Sequence, residues 1–475
     1  MAERLARLQP PLAPIRPAYR PLVLRLVHAL LPLVLRWRLV RWLPAGITHL
    51  ELGNGEALVA LLEQFRQGRC RLLLAFRHSA VDDPLCGLWL LSRGLPPRLR
   101  PQPVHFLYDR GMPLWAGRTL GWLLSALGGV SLRRGRQPDW SALRQARELM
   151  RNGSFPFAVA PEGATNGLGD CLGPLEPGSA RLALWCRDDL RRAGRSETVW
   201  IVPIGIHYRY PDAPWPRLEC LLGRLEAQMG LAPLPAQDPP QAPAGTPAQR
   251  CRRRLLRLGE RVLAELEAFY GRFGDGGGPA AAGSGGDGGS GGAGGDPSCD
   301  QRIDALRERV LRLAETRLDV PAAGTAADRC RRLEEVAWQW IHREDLPPRH
   351  RLAPLQRALA DRAAAEAALA LQHMRLVETF VAVSAGYLDP DCSDPAGEPS
   401  FERCADVALL LHDGLARLGG GALPARPRLG RRHARLQVAE PIAVPAEPGG
   451  RDQLHQLNAL LEQRLRDLLS QATLP

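Results

Sequence analysis

The residues best placed to do chemistry begin with a short run, His78-Ser79-Ala80-Val81-Asp82-Asp83-Pro84. A histidine followed five residues on by an aspartate is the His–Asp half of a hydrolytic triad. The carboxylate holds one imidazole nitrogen protonated and leaves the other as a general base. Asp83 directly before Pro84 is a preferred helix start, with Asp as the N-cap and Pro at the first helical position, where the helix dipole favours negative charge. No Ser or Cys nucleophile motif accompanies the pair, so the base is expected to activate a hydroxyl that belongs to a substrate. With 11 histidines in 475 residues, this spacing arises by chance about as often as not, and a buried structural histidine is the alternative.

Three further signals follow in order. Gly129 to Gly135 (GVSLRRG) is a short strand that delivers Arg134 to its carboxyl end. Phe157 to Gly167 (FAVAPEGATNG) is a strand emptying into a turn with Glu162 and Gly163, and Val202-Pro203-Ile204 sets a proline inside a strand-like run. Ligands of open α/β sheets bind beyond the carboxyl ends of the strands, so the first three signals are expected to converge there. Arg134 can grip a phosphate bidentately, and a Gly-bearing turn offers backbone N–H groups to an anion. Taken singly, a surface arginine and an ordinary turn explain the second and third signals equally well.

Such residues need a scaffold to bring them together. Glu56 to Gln67 has apolar residues at helical spacing and ends at Gly68, and Cys70 to Phe76 reads as a buried parallel strand. Helices are predicted over 84–93, 114–127, 141–151 and 178–192, and strands over 104–108, 130–132, 155–160 and 199–208. This alternation predicts an α/β fold, a mostly parallel sheet flanked by helices. Beyond Pro211 the pattern turns helical: 249–273, then 301–318, 327–343, 353–385 and 401–418. Between them, 13 of the 23 residues from Gly274 to Asp296 are Gly, which reads as a flexible linker. Strand character returns at 435–444, with Leu436, Val438, Ile442 and Val444, and an amphipathic helix closes the chain at 453–470.

Composition excludes other chemistries. All 62 basic residues are Arg, so Schiff-base, pyridoxal, P-loop and protein-kinase mechanisms that need Lys are ruled out. Ten cysteines without a C-x-x-C pair make a structural zinc site unexpected. No signal peptide is read at the start, so free thiols in a reducing cytosol are expected. Residues 1–45 hold eight Arg against one Glu, on and around the run Pro21 to Leu43. That run is too charged to span a bilayer and suits its interface, with Trp37 and Trp42 at headgroup depth. A helix packed on its own domain is the alternative.

In order, R-H-S-A-V-D-D, G-V-S-L-R-R, A-P-E-G-A-T and V-P-I resemble the motifs of the glycerolipid acyltransferases typified by 1-acyl-sn-glycerol-3-phosphate acyltransferase. The resemblance covers about residues 46–210. It implies that His78 is the general base and Asp83 its partner, that Arg134, Glu162 and Gly163 help bind the acceptor's glycerol phosphate, and that Pro203 shapes the acyl-donor side. It implies transfer of a fatty acyl group from acyl-CoA or acyl carrier protein to a lysophospholipid such as 1-acylglycerol 3-phosphate, with no metal or other cofactor. Membrane lipids are the expected partners, not nucleic acid, at the cytoplasmic face of a membrane. Two departures, Ala164 and Thr165 in place of the family's Thr-Arg, bear on the acceptor; Arg77, Arg133 or Arg136 could supply the missing charge. An acyltransferase with another lipid acceptor, or a catalytically inactive acyltransferase-like protein of the membrane surface, are the alternatives. The family's V-P strand is followed soon by a strand with a G-x-P-I-like turn; here Ala439-Glu440-Pro441-Ile442 resembles that turn far downstream. The expected organisation is therefore a membrane-surface segment (1–45), an α/β core (46–215), an inserted helical region (216–424) and a final strand and helix completing the core (425–475). The alternative is an independent C-terminal helical domain with a stray hairpin.

Overall fold

The computed structural model describes residues 7–12, 14–39, 43–112, 116–133, 138–232, 245–273, 298–380, 385–389, 398–419 and 425–472. They fall into two compact units. One joins Leu12–Pro214 to Ala425–Pro475, and the other joins Met1–Pro11 to Trp215–Pro424.

In chain order the first unit contributes α1 (Pro21–Arg36), β1 (Ile47–Gly53), α2 (Glu56–Arg66), β2 (Cys70–Phe76), α3 (Asp83–Trp89), β3 (His105–Asp109), α4 (Arg118–Ala126), β4 (Gly129–Leu132), α5 (Trp140–Asn152), β5 (Phe157–Val159), α6 (Gly178–Arg192) and β6 (Thr198–Arg209). The helices of the second unit follow: α7 (Trp215–Gln228), α8 (Pro247–Phe273), α9 (Cys299–Leu318), α10 (Ala326–Ile341), α11 (Pro354–Phe380) and α12 (Phe401–Leu418). The chain then returns to the first unit as β7 (Arg432–Val438), β8 (Ile442–Ala443) and α13 (Gly450–Ala472).

The strands form one sheet in the order β1-β7-β6-β2-β5-β3-β4, with β8 beside β6. Neighbours run parallel, except that β7 and β8 are antiparallel to β6. Ile204 pairs with Val438, Gly205 with Gln437 and Ile201 with Ile442. The C-terminal strand is thus interior to the sheet, between β1 and β6. Because helices cover both faces, β2 is apolar on both: Leu72 and Leu74 belong to one core with Leu58, Leu62 and Cys86, while Leu73 and Ala75 belong to the other with Ala146, Ala183 and Leu461. On that second face α13 buries Leu457, Leu461, Leu465 and Leu468, one stripe at helical spacing. Arg187 of α6 clamps the approach to α13, donating to the carbonyls of Pro445 (2.9 Å) and Glu447 (3.1 Å) and to Gln453 Oε1 (2.8 Å).

The segment 1–45 is not one piece. Leu8 N–H donates to Asp361 Oδ1 (3.0 Å) and Gln9 N–H to the Ile341 carbonyl (2.8 Å), within the helical unit. In contrast, α1 packs Leu31 and Leu35 into the core of the sheet unit. Pro32 removes the N–H that would meet the His28 carbonyl, and the Arg93 guanidinium donates to it instead, at 3.0 Å. Trp42 and the Gly-rich 274–296 lie outside the described residues. Two elements escape the sequence patterns. β1 (ITHLELG) is an edge strand with polar residues at alternate positions, and α7 starts among Pro211, Pro214 and Pro216, which masks its leucines at 218, 221, 222 and 225.

Candidate active site

His78 stands two residues beyond the end of β2, where the strand's hydrogen bonding closes with the Arg77 N–H on the Ile204 carbonyl (2.9 Å). Asp83 is the first residue of α3, one position later than the expected cap, and Asp82 precedes it. Its Oδ2 lies 3.2 Å from His78 Nδ1 and also accepts the Ala80 N–H at 2.8 Å; its Oδ1 accepts the Tyr208 hydroxyl at 2.6 Å. A carboxylate only accepts, so Nδ1 carries the imidazole proton and Nε2 the lone pair. Asp83 is buried, whereas the His78 side chain is 25% exposed. The pair therefore has a fixed inner end and an outer nitrogen that a substrate can reach.

Tyr208 is held as a donor. Burial, reinforced by the neighbouring Asp83 carboxylate, raises its hydroxyl well above the usual phenol range. Below it, Asp82 is fully buried and paired with Arg432 of β7, whose guanidinium lies 4.8 Å from the centre of the Tyr208 ring. Asp82, one residue nearer to His78 in the chain, is not the histidine's partner. The fold gives it a load instead: it anchors the arginine that packs on the tyrosine that holds Asp83.

The third motif braces the same loop. Glu162 is buried; Oε1 accepts the His78 N–H and Oε2 the Gly173 N–H, each at 2.8 Å. Burial raises its pKa, against the lowering by Arg77. Gly163 has φ +73°, a conformation that excludes a side chain without strain, and its N–H closes the turn on the Ala160 carbonyl. The Gly167 N–H likewise goes to the Ser79 carbonyl. Both carboxylate oxygens of Glu162 and these two glycine N–H groups are thus engaged within the protein, positioning His78. The same holds for Arg77. It is 1% exposed, and its guanidinium donates to the carbonyls of Leu168 (2.8 Å), Cys171 (3.0 Å) and Ile206 (3.3 Å), so it is not a source of charge for an acceptor phosphate.

Pro203 sits in β6 where the antiparallel pairing passes from β7 to β8. Its carbonyl accepts the Ala439 N–H (3.0 Å), so its missing N–H faces the break at Glu440-Pro441. Arg133 begins the loop after β4, with its N–H on Asp139 Oδ2 (3.1 Å). Arg134 and Arg136 lie outside the described residues.

His78, Glu162 and Gly163 lie on the loops leaving β2 and β5, Asp83 opens α3, and Pro203 lies in β6. Residues 59–207, from α2 into β6, match the family model described as Acyltransferase. This segment is an acyltransferase domain. It supports a general O-acyltransferase role. The match leaves out β1, β7, β8 and α13, although the sheet is continuous through β7. No curated protein matches the chain.

Tyr208 and Arg432 were not legible as parts of the acyltransferase site. Tyr208 is the residue after the match ends and looks like any strand aromatic, and Arg432 is one arginine among many. The pairing of β6 with β7, which the downstream Ala439–Ile442 turn hinted at, is the signal that could have pointed to them. Among the described residues, no group of three or more His, Cys, Asp and Glu could hold a metal ion.

Proposed function

We propose that the chain transfers a fatty acyl group from a thioester of coenzyme A or acyl carrier protein to the hydroxyl of a lysophospholipid such as 1-acylglycerol 3-phosphate, as a step of phospholipid biosynthesis. The observation that carries this reading is the His78–Asp83 pair, with Asp83 held on three sides and His78 Nε2 left for a hydroxyl. His78 takes the acceptor's proton as the acceptor oxygen attacks the thioester carbonyl. The C–S bond breaks, the leaving thiolate recovers the proton from the imidazolium, and the ester forms without an acyl-enzyme. Glu162, Gly163 and Arg77 act by fixing the loop that carries His78, and Pro203 by shaping the strand beside it. Arg134 is proposed as the phosphate contact, from the resemblance of its motif.

The N-terminal helix supports work at a membrane surface, proposed as the cytoplasmic face. While α1 buries Leu24, His28, Leu31 and Leu35, its other side exposes Leu22 (76%), Leu26, Leu30 and Leu33, and Trp37 (64%) follows at its end. Trp122 of the neighbouring α4 is exposed too, and α1 carries Arg25 and Arg36 with no acidic residue. An apolar stripe with cations and no anions suits the interface of anionic lipids. No described helix is long and apolar enough to cross a membrane.

Labelled acyl thioesters offered with a panel of lysolipids on vesicles test the reading. Transfer is expected, and His78→Ala should lower it by roughly 10³-fold or more with an unchanged melting temperature. Near-normal transfer by that variant sinks the assignment. Ala164 and Thr165 are both exposed at the turn, so the panel includes neutral lysolipids. A preference for these replaces the acceptor and keeps the chemistry.

A further inference from the structure

The sheet places two histidines side by side at its edge. β1 is the outermost strand on that side, and β7 runs parallel to it with His433 in register with His49. Parallel partners point to the same face. Leu50 and Leu52 of β1, with Ala434 and Leu436 of β7, face the core, so both histidines stand on the opposite face. His49 is exposed and His433 half-buried. Among the described residues, neither imidazole has a hydrogen-bond or ion-pair partner; their ring contact is with each other.

A facing pair of imidazoles is a poor structural choice. It joins no opposite charges, and when both rings are protonated it sets like charges directly opposite. Arg209, the β6 partner of His433, adds a cation to the same row. What the pair does offer is two nitrogen lone pairs at a set separation. Zn²⁺ bonds of about 2.0–2.1 Å to imidazole nitrogen put the ion roughly 3.2 Å from each ring centre, so two rings at the tetrahedral angle have centres about 5.2 Å apart. The ring centres of His49 and His433 are 5.2 Å apart, with the planes at 56°. Imidazole suits Zn²⁺, Cu²⁺ and Ni²⁺, whereas Ca²⁺ and Mg²⁺ take oxygen donors. The next residue of β1 on this face, Glu51, is paired with Arg435 at 3.2 Å, which leaves the remaining positions to water.

We propose that His49 and His433 form a surface site for a divalent transition-metal ion of the zinc type, with water completing its coordination. The bound ion ties the edge strand to β7, two strands that the sequence separates by the whole helical unit. With two protein ligands and a cation alongside, it is a weaker site than a closed structural zinc centre. The inference does not rest on the acyl-transfer reading of His78, which needs no metal.

The test uses the full chain, without an added histidine tag, and Zn²⁺ alone. Equilibrium dialysis should show saturable binding below about 1 mM. His49→Gln and His433→Gln should each weaken it by at least about tenfold, and the double variant should be no weaker than either single one, because a chelate needs both rings. Hydrogen exchange locates the ion: Zn²⁺ should slow the amides of residues 47–53 in the unaltered chain and leave them unchanged in either variant. His455 of α13 is exposed too, and His455→Gln should bind as the unaltered chain does. Equal zinc affinity in the unaltered chain and the two single variants overturns the proposal, and so does β1 exchange that ignores zinc. An equal loss in His455→Gln would mean scattered surface binding and overturns it as well. Should a variant fail to fold, the zinc dependence of β1 exchange in the unaltered chain decides it.

Discussion

Each of the two units is specified internally by a different kind of information. In the helical unit many signals are local. Ser298 with Gln301 and Thr325 with Asp328 form capping boxes at the starts of α9 and α10. Two of its buried carboxylates sit in bidentate pairs, Glu315 with Arg329 (both contacts 2.7 Å) and Glu226 with Arg254 (3.0 and 2.7 Å). The sheet unit depends on partners far away in the chain. Its seventh strand completes the sheet, its last helix covers one face, and an arginine from that strand supports the site. The chemistry has therefore been assembled where long-range pairing is densest, and any loss of the C-terminal strand reaches the active site directly.

The sharpest way to break the comparison is to remove that strand. A chain ending at residue 424 loses an interior strand, the stripe Leu457–Leu468 and the clamp on Arg187. The acyltransferase unit should then fail to fold, giving insoluble protein or loss of its cooperative melt. A soluble product with intact acyl transfer would show that the first 214 residues suffice and that β7 is an accessory.

Next comes the site itself. Asp83→Asn keeps the shape and changes the acceptor for His78 Nδ1 and Ala80 N–H. Acyl transfer should fall by roughly 10³–10⁴-fold as control of the imidazole tautomer is lost, with little change in KM for the acyl donor. Asp82→Asn acts through stability, because it leaves the largely covered Arg432 without its anion. The expected loss is about 3–5 kcal/mol, read by urea unfolding, and it should exceed the loss from Asp83→Asn. Equal stability in Asp82→Asn and the unaltered chain would remove the link between β7 and the site.

How much of this could be read in the sequence follows the same division. Strand and helix order, the His78–Asp83 pair and the Glu162–Gly163 turn were legible because each rests on a local pattern. So were α8 to α12 and the stripe of α13. What stayed hidden is where a long side chain ends. In a chain whose only strong base is arginine, nothing local separates a surface Arg from one whose guanidinium is turned inward onto backbone carbonyls. Arg77 looked available for a phosphate and is a brace; Arg187, Arg93 and Arg432 gave no sign of their roles. Glu162 was carried to the acceptor by resemblance, whereas its backbone partners, His78 and Gly173, come together only through folding. The partner of Asp82 likewise lies on a strand 350 residues later.

A smaller effect comes from His207, a buried histidine of β6 beside Tyr208. His207 is buried beside Arg77, Arg209 and Arg435, with Asp83 the one acidic influence, and burial followed by those arginines lowers its pKa to about 3. A free histidine titrates near 6.5. Between those values the unfolded chain binds a proton that the folded chain refuses, so stability is full above pH 6.5 and is lost as pH falls toward 3. By pH 5 the cost from this residue is about 2 kcal/mol. Burial lowers His28 and His105 as well, in the same direction. Melting His207→Gln beside the unaltered chain at pH 7.5 and 5 should show the variant gaining relative stability by about that amount. A constant difference would mean that His207 accepts a proton while folded.

The smallest predicted effect tests the local half of the comparison. The Thr325 hydroxyl accepts the Asp328 N–H at 3.2 Å and donates to Asp328 Oδ2 at 2.7 Å, and that oxygen also accepts the Thr325 N–H at 3.2 Å. These contacts pull the Asp328 carboxyl below its ordinary range, the Thr325 hydroxyl first among them. They involve only residues 325 to 328 on an exposed helix start, so their loss should stay local. Thr325→Ala should cost about 1 kcal/mol. It should raise amide exchange in the first turn of α10 and leave acyl transfer unchanged. A loss several times larger, or a fall in transfer, would show that the helical unit also relies on distant support. The contrast between a locally specified helical unit and a non-locally specified sheet would then fail at its best-defined point.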